Sequence, residues 1–346
     1  TIWGTSSSWT LTALPLFVWM GEILFRTKLS ENLFKGLSPW MQKLPGGLIH
    51  VNIVGCALFA AISGSSAATV ATVGKMSIPE LRKRKYPEKI LLGSLAGSGT
   101  LGLLIPPSII LIIYGVAVQE SIAKLFIAGI IPGIMIALIF MTYVIIWSLI
   151  NKKIMPKILE EYSLIEKIKR SKQLLPIIIL ISAVIGSIYT GIATATEAAS
   201  LGVLGALILS YFQKSLTIET FKSSLLGATK TSCMIAFILA GSTFLSLAMG
   251  FTGLPRNLAI WIQNMELSPY VLIFVLMIFY VILGMFLDGI SAVVLTMAII
   301  EPMIRQAGFD MIWFGIFLVI VVEMAQITPP VGFNLFVLQG MANKDM

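Results

Sequence analysis

FAAISGSSAATVATVG, Phe59–Gly74, followed by GSLAGSGTLGLLIPPS at Gly93–Ser108, is the stretch on which the fold turns. It has a counterpart near the other end. FLDGISAVVLTMA at Phe286–Ala298 is followed by AQITPPVGF at Ala325–Phe333. Each copy is an apolar run with a small, polar interruption, then a second apolar run broken at a Pro-Pro pair. Gly64 precedes Pro106 by 42 residues and Gly289 precedes Pro329 by 40. Two copies of a broken-helix unit in an apolar chain imply an inverted repeat around a central binding site, the plan of secondary transporters.

The surrounding composition places the chain in a bilayer. Hydrophobic residues make up 57% and charged residues 12%, with a mean hydropathy of +0.96. Soluble domains carry about 25% charged residues. Several runs reach the roughly 20 apolar residues that a membrane helix needs. The net charge of +8 is explained by position rather than by a nucleic-acid partner. Twenty of the 24 basic residues fall in four segments: Arg26–Lys43, Lys75–Lys89, Lys152–Lys172 and Lys214–Lys230. Basic loops stay in the cytoplasm, so all four segments are assigned to that side. Cys56 and Cys233 both sit in apolar stretches and read as buried packing thiols. A single histidine, His50, excludes a His-based metal cluster or a Ser/His/Asp triad. It falls at the cytoplasmic mouth of the first hairpin and reads as interfacial, while Trp147 and Trp313 read as interface anchors.

The basic segments order the rest. Trp9–Phe25 spans inward, and Leu29–Leu44 reads as an amphipathic surface helix. Gly46–Gly74 is 29 residues long, too long for one span and too short for two, with both ends on the basic side. It is predicted to be a re-entrant hairpin turning at Ser63-Gly64-Ser65-Ser66. Ile90–Val116 goes out, broken at Gly97–Thr100 and again at Pro106-Pro107. Leu125–Leu149, Leu174–Tyr189, Ala198–Phe212 and Thr231–Met249 follow as spans, then an outer segment over Gly250–Ser268. Tyr270–Ile304, 35 residues, has both ends outside and is a second hairpin turning near Asp288-Gly289. Met311–Gln339 crosses inward, broken at Thr328-Pro329-Pro330. The two hairpins enter from opposite faces, as an inverted repeat requires. The expected fold is all-α and integral to the membrane: one transporter domain over 1–346, of the elevator type. Within it, 1–45 is a scaffold helix and arm, 46–116 the first hairpin and broken helix, 117–269 scaffold and connecting helices, and 270–340 the second hairpin and broken helix.

The residues able to carry chemistry sit at the interruptions. Ser63, Gly64, Ser65, Ser66 and Thr69 gather hydroxyls and flexible backbone at the first tip. Gly97, Ser98, Gly99 and Thr100 do so in the helix that follows. Asp288 lies in the second apolar hairpin, where an unpaired carboxylate is costly and a bound cation would relieve it. It can equally cap the helix that begins at Gly289. A residue before proline avoids the α region and proline has no N–H, so Pro106, Pro107 and Ser108, like Thr328, Pro329 and Pro330, free carbonyls one turn back. Oxygen-rich breaks suit Na⁺, and half-helix N-termini suit a carboxylate. Glu22, Glu197 and Glu323 lie in or beside spans; Glu197 follows Thr194–Thr196 at the top of a helix, where N-terminal placement stabilises a carboxylate, and a structural hydrogen bond to a neighbouring helix is favoured over proton relay.

These motifs, with ALPLFVWMGE at Ala13–Glu22, TATEAASLGVLGAL at Thr194–Leu207, LDGIS at Leu287–Ser291 and ITPPVGFNLFV at Ile327–Val337, resemble the large membrane subunit of TRAP (tripartite ATP-independent periplasmic) transporters, in order along the whole chain. The resemblance implies a bacterial inner-membrane, multi-pass permease. It implies a small membrane subunit, a periplasmic substrate-binding protein and a lipid bilayer as partners, with no nucleic acid. Sodium-driven import of an organic acid, such as a C4-dicarboxylate, sialic acid or a keto acid, follows, with Na⁺ as coupling ion and no other cofactor. Carried over by motif, Ser63–Ser66 with Gly97–Thr100 and Pro107-Ser108 form one sodium region. Asp288, Gly289 and Thr328–Pro330 form the other. The chain opens TIWGTSSSW without an initiator Met, and against the family it is short of the first scaffold helices and of the last helix after Met341, so a longer native protein is expected. The alternative is a stand-alone sodium/dicarboxylate symporter without a binding protein. An intramembrane hydrolase is disfavoured, because Asp288 is the one aspartate deep in a span and His50 lies at a segment edge.

Overall fold

A computed structural model describes residues 9–342 except 28, 157–161, 254–256, 258–259 and 261–267. The described residues form helices and turns with no strand. A short 3₁₀ turn at Trp9–Thr12 leads into α1 (Ala13–Phe25) and the surface helix α2 (Leu29–Met41). The first repeat unit is α3 (Ile49–Ser63), α4 (Ser66–Lys83), α5 (Glu88–Gly99), a 3₁₀ turn at Thr100–Leu103, and α6 (Ile109–Ala117). The connecting helices are α7 (Ile122–Ile150), α8 (Leu164–Ser171), α9 (Leu175–Tyr189), α10 (Ala195–Phe212) and α11 (Ile218–Thr252). The second unit is α12 (Pro269–Gly284), α13 (Gly289–Gln306), α14 (Met311–Gln326) and α15 (Phe333–Ala342). Helices α7, α10, α11 and α13 are each long and apolar enough to cross a membrane; α8 and α9, bent by 54°, make a fifth if taken as one span.

The local chemistry explains where the helices stop. Gly64 ends α3 in the left-handed region at φ +59°, and Ser65 restarts the chain as N-cap of α4. Ser108 caps α6 and Asp288 caps α13. A helix–turn–helix therefore forms about each predicted tip, and an interruption at Pro-Pro follows each. Both Pro-Pro bonds are cis. Some boundaries differ. The returning limb of the first hairpin runs on past Gly74 to Lys83, because Pro79 and the basic residues after it still fit a helix end. Gly97–Gly99 belong to the last turn of α5, so one continuous break at 100–108 replaces the two predicted ones. α11 begins at Ile218 rather than Thr231, and so takes Lys222 and Lys230 into a helix of 35 residues. The predicted outer segment at Gly250–Ser268 falls largely outside the described residues.

The two units pack reciprocally. α6, which follows the first break, lies against α13, the returning limb of the second hairpin. α15, which follows the second break, lies against α4, the returning limb of the first hairpin. Helices α10 and α11 pack on α1. The lipid-like exterior is plain on α7, where Ile131, Ile134, Leu138, Ile139 and Ile146 are exposed. Cys233 is exposed rather than buried, since it falls on the outward face of α11. His50 is completely buried rather than interfacial, with Nε2 2.7 Å from the Pro45 carbonyl.

The close fit of the first tip against the 3₁₀ turn depends on Gly102. A Cβ there would stand 2.6 Å from the Ser65 carbonyl oxygen and 2.8 Å from Thr69 Oγ1. Overpacking of this kind costs about 1–3 kcal/mol, so Gly102→Ala is expected to lower the melting temperature in detergent. Gly93→Ala, where the new carbon meets nothing within 4 Å, is expected to hold or raise it. Equal melting of the two variants would rule out this contact as a structural constraint.

Candidate functional site

The hairpin tips and the post-break helices meet at a cavity of about 590 Å³. Ser63, Gly64, Ser65, Ser66, Ala67 and Ala68 line it from the first tip and the opening turn of α4. Asp288, Gly289 and Ile290 line it from the second tip and the opening turn of α13. Ile109 and Ile110 come from the start of α6, and Phe333 and Val337 from α15. Val18, Gly21, Glu22 and Phe25 of α1, with Thr231, Met234, Ile235 and Ile238 of α11, close the far wall. The first turns of four helices thus face one space. Free N–H groups and the positive end of the helix dipole are found at such turns.

Hydrogen bonds hold the first tip. Thr69 Oγ1 donates to the Ser65 carbonyl at 2.7 Å and stands 2.8 Å from Ser63 Oγ. The Gly64 carbonyl accepts from the Ile109 N–H at 3.3 Å, joining the tip to α6. Gly64 is required twice over: its φ is positive, and a Cβ would meet the Pro107 carbonyl oxygen at 2.8 Å. Ser66 Oγ donates to Gln326 Oε1 at 2.8 Å, joining the tip to the last turn of α14 across 260 residues of sequence. A Cβ on Gly289 would meet Gln326 Nε2 at 3.0 Å. Gln326 is therefore wedged between the two tips.

At the second tip, Asp288 acts as a cap. Oδ2 accepts from the Ile290 and Ser291 N–H groups at 3.1 and 3.2 Å, and Oδ1 accepts from Ser291 Oγ at 2.5 Å. The side chain is half-buried on the cavity wall. The other residues singled out by sequence lie off the cavity lining. Gly97 faces Phe140, Ser98 donates back to the Ser94 carbonyl at 2.5 Å, and Gly99 is covered by Val70. Thr100 donates to the Gly97 carbonyl at 2.7 Å. Pro107 and Ser108 form the floor of the tip contact, with Ser108 bonded to the Leu103 carbonyl. Thr328 donates back to the Met324 carbonyl at 2.6 Å, and Pro329 and Pro330 are exposed.

Glu22 forms an ion pair with Arg26 one turn on rather than reaching a neighbouring helix. Glu197 likewise serves its own helix, accepting from the Thr194 N–H at 2.8 Å in a capping box. Glu323 is 3% exposed, and its Oε1 has no hydrogen-bond partner. Asn334, fully buried on α15, has no partner for either side-chain polar atom. Gln326 and Asn334 escaped the sequence reading. The available signal was their position, just before and just after the second break, where a polar side chain in an apolar run needs a reason.

The Ser66–Gln326 bond gives a direct test of the tip-to-tip geometry. A buried neutral hydrogen bond contributes about 0.5–1.5 kcal/mol. Ser66→Ala and Gln326→Ala are each expected to lower the melting temperature. The double variant should be less destabilised than the sum of the two, by that amount. Additive losses would mean that the two side chains do not interact.

Comparison with known proteins agrees with this architecture. The family model described as Tripartite ATP-independent periplasmic transporter, DctM component, matches residues 1–346. The C4-dicarboxylate TRAP transporter large permease protein DctM of Pseudomonas aeruginosa is 33% identical, covering 96% of this chain and 78% of the relative. The 2,3-diketo-L-gulonate TRAP transporter large permease protein YiaN of Escherichia coli is 31% identical, covering 97% and 79%. The isethionate TRAP transporter permease protein DctMQ of Oleidesulfovibrio alaskensis is 32% identical, covering 97% of this chain and 53% of its own. The crystal structure of the Alcanivorax borkumensis YdaH transporter shares the fold, with a TM-score of 0.64 over 99% of this chain and 80% of that one, at 13% identity. These relatives are permeases, not enzymes, and the apolar helices make this chain a multi-pass membrane protein. With the paired breaks, the converging tips and a match over its full length, the chain belongs to the DctM component family of tripartite ATP-independent periplasmic transporters.

Proposed function

We propose that this chain is the large permease subunit of a sodium-coupled importer for a small organic anion. A periplasmic binding protein delivers the anion, and a small membrane subunit completes the assembly in the bacterial inner membrane. The observation that carries this reading is the convergence of four helix openings on one cavity of about 590 Å³. That volume suits a small organic acid. Each opening directs the positive end of a helix dipole, roughly half a charge, toward the cavity. The relatives described above are named for C4-dicarboxylate, 2,3-diketo-L-gulonate and isethionate, and all three are anions. The fused permease DctMQ supports the expectation of a second membrane subunit.

Sodium is supported by oxygen. Ser63, Ser65 and Thr69 crowd hydroxyl and carbonyl oxygens at the first tip. Two interruptions of the helical ladder, before α6 and before α15, leave carbonyls outside the i→i−4 pattern. Hard monovalent cations take such ligands. We assign the movement to an elevator step in which the two hairpins, here re-entrant, travel with their broken helices past α1 and α7–α11. The bonds Gly64–Ile109 and Ser66–Gln326 tie the first tip to both broken helices, which supports motion as one body.

Asp288 separates cap from ion site. Asn caps a helix as well as Asp does, while Ala loses about 1 kcal/mol. Asp288→Asn is therefore expected to keep the melting temperature and weaken the sodium dependence of uptake, by roughly tenfold for each 1.4 kcal/mol of binding removed. The assay is uptake of a labelled organic-acid panel into proteoliposomes bearing both membrane subunits, with the binding protein outside and an inward sodium gradient. Uptake independent of sodium would overturn the coupling. Uptake without the binding protein would establish a stand-alone symporter instead. An Asn variant with unchanged sodium response would leave Asp288 as a cap alone.

A further inference from the structure

A second cavity, of about 470 Å³, lies at the opposite end of the first unit from the hairpin tip. Three helix ends surround it, and each supplies a cation just past its C-terminus. Lys43 follows α2, Arg84 follows α4 and Lys152 follows α7. No carboxylate is among the described residues that line it. Glu80, one turn back from Arg84, is already paired with it at 2.9 Å.

Cations at helix C-termini have an ordinary structural use, since they offset the dipole. The neutral groups of this cavity go further. Ser148 lines it, is 4% exposed, and has no partner for Oγ. A serine in a helix usually bonds to the carbonyl four residues back, and this one does not. Tyr86 also lines the cavity. Its hydroxyl oxygen accepts the Leu48 N–H at 3.0 Å, which leaves the phenolic proton to be donated. The Gly46-Gly47 turn keeps the space open. A Cβ on Gly47 would stand 2.5 Å from Tyr86 Oη, and one on Gly46 would stand 3.1 Å from Ser148 Oγ. The cavity therefore holds three cations, two hydroxyl donors and room for a tetrahedral anion.

The apolar side of the same site identifies the source of that anion. Leu149 lines the cavity and is also 46% exposed on α7. From there the exposed apolar residues Ile146, Tyr143, Ile139 and Leu138 continue up the helix. A phosphate seated in the cavity would place an acyl chain along this face. We propose that the cavity binds the headgroup of an anionic phospholipid of the cytoplasmic leaflet, with its tails along α7. Such a lipid would hold the ends of α2, α4 and α7 together at the base of the first hairpin.

The test is native mass spectrometry of the detergent-purified complex with its small subunit. It is titrated separately with dioleoyl-phosphatidylglycerol, dioleoyl-phosphatidylcholine and inorganic phosphate. Phosphatidylglycerol is expected to be retained in preference to phosphatidylcholine. Each cation near a membrane surface contributes about 1 kcal/mol, so removing Lys43 and Lys152 together should weaken that retention roughly 30-fold. Lys214→Ala/Lys222→Ala, in a basic segment away from the cavity, should leave it unchanged, and Ser148→Ala should weaken it without removing charge. Equal retention of the two lipids, or an unaffected Lys43→Ala/Lys152→Ala variant, would overturn the proposal. So would binding of free phosphate without retention of phosphatidylglycerol. Matching melting temperatures of the two double variants exclude misfolding as the cause.

Discussion

A helix that ends within an apolar surround leaves its terminal N–H and C=O groups without water to satisfy them. That constraint organises the molecule. Each of the two units stops a helix twice, once at a hairpin tip and once at a break. Ser65, Ser108 and Asp288 supply three of the caps from their own side chains. The Gly64 carbonyl at the end of α3 receives the Ile109 N–H of α6. The broken ends must therefore lie together, and where they gather a cavity forms.

Reciprocal packing makes this arrangement stiff. α6 against α13 and α15 against α4 cross-link the two units, so neither tip rests on its own unit alone. Gln326 carries the same logic at the level of one side chain, accepting from Ser66 while standing against Gly289. Small residues permit the approach. At Gly102 and Gly64, backbone oxygens come within 2.6 and 2.8 Å of where a Cβ would sit. Such contacts transmit displacement rather than absorb it, because packed interiors compress little.

Glu323 and Asn334 stand outside this economy. Both are buried beside the second break, and both have polar atoms without partners. Leaving such groups unsatisfied costs about 1–3 kcal/mol each, more for a charge.

The two helix turns and both Pro-Pro breaks were legible because they depend on local chemistry: glycine and proline against helix continuity, and a polar side chain to cap each restart. Ser63–Ser66 and Asp288-Gly289 were legible as tips for the same reason. What the chain order alone did not reveal is which side chains share a space. Gly97–Gly99 resemble tip residues in composition, yet a helical turn directs them to Phe140 and Val70. Thr328 has the right neighbours in sequence but bonds back along its own helix. Gln326 is an unremarkable glutamine until Ser66, 260 residues away, is brought to 2.8 Å. The sequence by itself determined where helices must start and stop, since those rules act within one turn. Only the tertiary structure decided which ends meet, because that depends on the direction of each side chain and the packing of elements far apart in the chain.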